Sequence, residues 1–178
     1  MLKLIRPAVS GALLLAVAAC APVDVLNTLT PSGSYDRMED VSYGEIPGLT
    51  LDVYKPQNPR ADAPVLMFVY GGSWTSGDKS DYKFIGESFT SEGYTVVIPN
   101  YRLYPGIQFP DPVTDTAKAA AWASKNFEGR PLILMGQSAG GYNVLMTGLD
   151  GAYLANEGVD VCQSVAGVVS LAGPVGIV

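Results

Sequence analysis

Residues 132–146 read LILMGQSAGGYNVLM, an apolar run that passes through Gly136-Gln137-Ser138-Ala139-Gly140 into a helical pattern. Few folds tolerate such a junction. A strand buried on both faces must turn at once into a helix, and only residues without bulk fit on either side of Ser138. Side chains at positions 136 and 140 are expected to collide with the neighbouring strand and helix. The turn lifts the serine hydroxyl clear of the sheet and sets it over the positive end of a helix, where developing negative charge is favoured. Ser138 is therefore the candidate nucleophile.

The rest of the chain supplies a matching frame. Residues 38–43 form a weak strand, and residues 49–54 alternate apolar and polar as a half-exposed strand does. Continuous apolar runs at 65–70 (VLMFVY), 95–99, 132–135 and 165–171 read as strands buried on both faces. Helical patterns fall between them at 82–91, 111–127 and 139–149, the second rich in alanine with Pro112 in its first turn. Strands alternating with helices imply parallel βαβ units with right-handed crossovers. The expected fold is α/β, a mostly parallel sheet with flanking helices. No helical pattern follows the last strand.

A second glycine loop, Tyr70-Gly71-Gly72-Ser73-Trp74, follows the first buried strand. Glycines there leave backbone N–H groups unobstructed, and these, with the N–H of Ala139, make an oxyanion site. The plain alternative is a glycine turn without chemistry. The phosphate-binding patterns G-x-G-x-x-G and G-K-[ST] are missing.

At this point the chain resembles the α/β-hydrolase fold, in the carboxylesterase and hormone-sensitive-lipase-like group, over roughly residues 41–174. The group's H-G-G-G or H-G-G-x-W loop is similar to Tyr70-Gly71-Gly72-Ser73-Trp74, with Tyr70 in place of the histidine and Ser73 in place of the third glycine. Asn100-Tyr101-Arg102-Leu103, Phe109-Pro110 and Asp115 resemble its Y-R-L…F-P…D segment. The resemblance implies Ser138 as nucleophile. It implies Gly72 and Ala139 as oxyanion donors, with Gly71 or Ser73 as a third. Tyr70 either braces its loop or faces the substrate, and Arg102 with Asp115 is expected to form a structural pair or cap. The implied substrate is a small-molecule ester, with no cofactor and no metal.

One component is missing. The chain has no histidine, whereas the group's triad runs serine, acid, histidine, with the last two on loops after two further strands. Asp150, Glu157 and Asp160 fall near a helix end and a connection, and Lys118 and Lys125 read as a solvated helix face. The expectation is that the chain is the N-terminal part of a longer enzyme, left by a frameshift, a premature stop or an incomplete gene. It would then be marginally stable and show little triad catalysis. The competing reading is a non-catalytic envelope lipoprotein that uses a degenerate hydrolase fold for binding. An arylformamidase-like amide hydrolase is the alternative among enzymes, because the Gly-Gly-x-Trp stretch is similar to that of kynurenine formamidases.

Composition narrows the setting. Of 178 residues 48% are apolar and 16% charged, enough for one packed domain. A net charge of −6 gives no basic footprint for nucleic acid. Residues 1–19 read as a signal peptide: Lys3 and Arg6, then an apolar stretch too short to span a bilayer, ending Val17-Ala18-Ala19-Cys20. That ending resembles a bacterial lipobox, so Cys20 is expected to be lipidated and to hold an exported protein at a membrane in the cell envelope; a soluble secreted or periplasmic form is the alternative. Residues 20–40 read as a linker carrying one short helix, and residues 41–178 as a partial hydrolase domain. Cys162, left without a partner, is expected to be a small core residue. The sequence leaves the acyl and alcohol groups and the oligomeric state open.

Overall fold

The computed structural model describes residues 22–175. The expected signal segment with Cys20 lies outside the described residues. Helix α1 (Pro22–Leu29) leads into strand β1 (Tyr35–Ser42), which pairs with β2 (Thr50–Pro56). The sheet thus begins at Tyr35, inside the stretch expected to be linker. Strand β3 (Val65–Val69), a 3₁₀ turn (Lys79–Tyr82), α2 (Lys83–Thr90), β4 (Thr95–Pro99), α3 (Asp111–Asn126), β5 (Leu132–Gln137) and α4 (Ala139–Leu149) follow. Two short helices not foreseen from sequence, α5 (Gly151–Asn156) and α6 (Val161–Ser164), precede β6 (Val165–Leu171).

The six strands lie in the order β1-β2-β4-β3-β5-β6. The first three pair antiparallel, and β4, β3, β5 and β6 run parallel. Every residue of β3 and β4 is buried, as their continuous apolar sequences require. From β3 the chain crosses to β4 on one side and then returns past β3 to β5. Right-handed crossovers in opposite directions put α2 on one face and α3 with α4 on the other. Because β3 and β5 are parallel neighbours, with Val69 opposite Gly136, the loops leaving their C-terminal ends emerge side by side. That is where α/β sheets place their sites.

Small residues let the helices lie close. Ala117, Ala119, Ala120, Ala121 and Ala123 of α3 are buried in the core. The Gly148 Cα of α4 approaches so near β6 that a methyl group there would sit 2.4 Å from Val168 Cγ2.

Three expectations need correction. The strand at 49–54 is not half-exposed: Asp52 is fully buried because Arg37 and Lys79 reach its carboxylate at 2.6 and 2.8 Å. Strand β6 is not buried on both faces. It forms the sheet edge among the described residues, with Val169 and Leu171 open to solvent. Cys162 is exposed rather than in the core. It sits in the single turn of α6, where its N–H is capped by the Asp160 carboxylate at 2.8 Å.

Candidate active site

Ser138 stands between β5 and α4 with φ 52° and ψ −119°, outside the regions open to ordinary residues. Backbone strain of this kind costs of order 1–3 kcal/mol and persists only where the surroundings fix it. Here two bonds do so: the Ser138 N–H donates to the Leu171 carbonyl at 2.8 Å, and its carbonyl accepts from the Tyr142 N–H at 3.1 Å. The flanking glycines are required by close approach. A Cβ on Gly136 would lie 2.2 Å from the Gly140 oxygen, and one on Gly140 would lie 2.1 Å from the Val69 oxygen. The collisions expected from sequence are therefore real, and both are with backbone.

The loop after β3 closes against this turn. An added Cβ at Gly71 would stand 3.0 Å from Ser138 Cβ. The loop doubles back through Gly72 at φ 118°, whose carbonyl accepts from the N–H groups of Thr75 (2.9 Å) and Ser76 (3.1 Å). Ser73 and Trp74 follow at φ 54° and 60°, a left-handed pair without glycine. Among the described residues the N–H groups of Gly72, Ser73 and Ala139 find no acceptor. The Tyr82 phenol lies near the Gly71 backbone, which tempers the rise of its pKa on burial. The structure thus brings Ser138, Gly71, Gly72, Ser73 and Ala139 together at one end of the sheet.

Tyr70 braces the loop and does not face solvent. Its ring stacks between Tyr82 and Tyr101, and its hydroxyl donates to Asn100 Oδ1 at 2.9 Å. Burial pushes the Tyr70 and Tyr101 phenols up, so both stay neutral donors; Tyr101 donates to the Tyr70 carbonyl at 3.0 Å. Asn100 is the hub of this brace. It also accepts from the Lys79 N–H at 2.7 Å and donates to Asp78 at 2.8 Å. Arg102 and Asp115 do pair: Nε and Nη2 each reach the buried carboxylate at 2.8 Å.

Two features were not foreseen. Trp74 Nε1 donates to Oδ1 of Asn143 at 2.9 Å, and Asn143 is wholly buried on α4. A polar residue at an inward position of an apolar helix was the available signal. Beside it opens a cavity of about 710 Å³, walled by Trp74, Tyr104, Phe109 and Tyr142 with Ser73 at one side; no charged residue lines it. Ser138 is not a lining residue and joins the cavity through Tyr142, one turn along α4.

The other candidates lie elsewhere. Asp150 and Asp160 cap α5 and α6 through the N–H groups of Ala152 (3.1 Å) and Cys162 (2.8 Å). Lys125 donates to the Glu157 carbonyl at 2.8 Å. None of these side chains, nor that of Lys118, hydrogen-bonds to Ser138. Among the described residues no group of three or more Cys, Asp or Glu could hold a metal ion, and no helix is long and apolar enough to cross a membrane.

A serine at a strand-turn-helix junction lies beside the glycine loop of the adjacent strand. The BD-FAE family model matches residues 51–178, which hold every element of the site. The chain belongs to the BD-FAE family. Membership places it among the α/β-hydrolase carboxylesterases. The chain is similar to the versiconal hemiacetal acetate esterase of Aspergillus parasiticus, 35% identical over 135 residues, covering 75% of this chain and 40% of that protein. It is also similar to the esterase LipC of Mycobacterium tuberculosis, 33% identical over 151 residues, covering 78% and 37%. The chain therefore spans two fifths or less of these relatives' length. The fold is shared with esterase B from Lactobacillus rhamnosis, TM-score 0.66 at 21% identity, covering 90% of this chain and 53% of that one. It is shared also with a hyperthermophilic esterase from the archaeon Pyrobaculum calidifontis, TM-score 0.67 at 22% identity, covering 86% and 49%.

Proposed function

We propose that this chain carries the nucleophile and oxyanion site of a serine carboxylic-ester hydrolase. The carrying observation is the strained Ser138 turn at φ 52° packed beside the loop at 71–73, where among the described residues the N–H groups of Gly72, Ser73 and Ala139 have no acceptor. Ser138 Oγ attacks the ester carbonyl, its proton passing to solvent. The carbonyl oxygen gathers negative charge between the N–H groups of Gly72 and Ala139, with Gly71 or Ser73 as the third donor. Collapse expels the alcohol and leaves an acyl group on Ser138, which water then removes. The cavity beside Trp74 takes the non-reacting part of a small uncharged ester, because it offers apolar walls and no ion partner.

Within this sequence no histidine exists to take the Ser138 proton. Turnover is therefore expected to be slow, sustained by the oxyanion site, which retains part of the acceleration when triad members are lost. The same absence favours a second reading, a binding module in which the cavity holds a ligand without turnover.

A fluorophosphonate probe tests the first reading. It is expected to label Ser138, identified by peptide mass, and Ser138→Ala is expected to lose the label together with slow hydrolysis of p-nitrophenyl acetate. Equal labelling of both proteins would refute it. Faster cleavage of N-formylkynurenine than of the ester would move the substrate class to amides.

We also propose export and lipid attachment at Cys20. Metabolic labelling with a palmitate analogue in a bacterial host is expected to mark the protein, and Cys20→Ser to release it from the membrane fraction.

A further inference from the structure

The loop after β3 and the start of α4 supply opposite halves of the oxyanion site, yet they belong to different elements. Among the described residues one side-chain hydrogen bond joins the loop at 71–77 to α4: Trp74 Nε1–H to Asn143 Oδ1, 2.9 Å. Its acceptor is fully buried, and the Asn143 amide group has only one other partner, the Pro112 carbonyl at 3.5 Å. An asparagine in a helix interior gains little from helix formation. A buried amide needs its partner. The bond thus accounts for the residue.

The donor side is under equal constraint. Ser73 and Trp74 both adopt left-handed backbone, at φ 54° and 60°. A bulky residue holds that conformation only where its surroundings dictate it. Trp74 is fixed by its carbonyl, which accepts from the Tyr104 N–H at 2.8 Å, by its edge-on ring contact with Tyr142, and by Asn143. Two of these three holds come from α4. Residues 142 and 143 therefore set where the Gly72 and Ser73 amides stand relative to that of Ala139.

We propose that Asn143 is a positioning residue that, through Trp74, sets the spacing between the two halves of the oxyanion site. Its side chain borders the cavity beside Trp74 but supplies none of the oxyanion donors. The proposal rests on the hydrolase reading for its effect on rate, but the placement of the loop can be measured without it.

The experiment uses the full chain with Asn143→Leu, which keeps the bulk and removes the acceptor; Asn143→Asp, which keeps the acceptor; and Trp74→Phe, which removes the donor. Saturation kinetics of a fluorophosphonate separate the maximal labelling rate from the apparent affinity. Asn143→Leu and Trp74→Phe are each expected to lower the maximal rate by about 10-fold or more, with the double variant no worse than either single one. Asn143→Asp is expected to keep most of the rate. In a Trp122→Phe background, the Trp74 indole N–H resonance is expected to shift in Asn143→Leu, and the Thr75 and Ser76 amides, which donate to the Gly72 carbonyl, to exchange faster. Should Asn143→Leu misfold, Trp74→Phe carries the same test. A maximal rate kept within about 2-fold in both variants, or loop amides exchanging at the original rate, would overturn the proposal. Failure of the unsubstituted protein to take label would sink the hydrolase reading instead, and the exchange measurement alone would then decide the positioning role.

Discussion

A methyl group on Gly140 would meet the Val69 carbonyl oxygen at 2.1 Å and the Tyr70 oxygen at 2.4 Å. Neither atom can swing aside, because both are backbone atoms at the end of strand β3 and just beyond it. Gly140→Ala must push α4 away from the sheet, at a cost of about 1–3 kcal/mol or more. Gly33→Ala meets nothing within 4 Å and is expected to stay within about 0.5 kcal/mol of the original. Urea midpoints for the two variants check the contrast, and Gly140→Ala should also label poorly at Ser138. This part of the site was legible in the sequence, since only a backbone collision demands glycine at both positions. The brace beneath the Gly71 loop was not, because Tyr70, Tyr82 and Tyr101 are far apart in sequence and meet only through the stacking of their rings.

Between β3 and α2, the 3₁₀ turn is capped by Asp78, whose carboxylate accepts from the Ser80 N–H at 2.9 Å and from the Asn100 amide at 2.8 Å. Burial alone would raise the Asp78 pKa; the hydrogen bonds from Ser80 and Asn100 and the nearby Lys79 charge outweigh it and hold the group below its ordinary 3.8. A carboxyl depressed in the folded state adds stability that is fully present above the unfolded value and is lost as pH falls through the folded one. The window therefore lies below about pH 4. Asp78→Asn is expected to be less stable at pH 7 and to show a flatter loss of stability between about pH 4 and pH 2, measured by urea unfolding across that range. At this scale the sequence was a good guide wherever periodicity was pure. Strands β3 to β5 and helices α3 and α4 fall where the apolar runs and the alanine stripe put them. It misled where a charge is buried by partners distant in sequence, as Asp52 is by Arg37 and Lys79. It also misled where neighbours decide burial, since the apolar run at 165–171 looks the same in a central strand and an edge one. The short helices α5 and α6 have too few residues to show a period; only their capping aspartates, Asp150 and Asp160, were signals.

At the scale of the described residues as a whole, the sheet is well covered from β2 to β5 and open along β6, where Val169 and Leu171 are 37% and 46% exposed. An edge strand with unpaired backbone groups and exposed apolar side chains invites pairing with another chain. Val169→Lys is expected to reduce concentration-dependent light scattering while leaving the urea midpoint within about 0.5 kcal/mol. Strand β6 does more than bound the sheet, because the carbonyl of its last residue, Leu171, holds the amide of Ser138. This edge strand thereby doubles as a fuse for the reactive centre. Fraying of that rim would slacken the serine long before the interior gives way. In a urea titration, phosphonate reactivity should vanish at a lower concentration than far-ultraviolet ellipticity, and a ligand or partner that clamps the rim should bring the two curves back together.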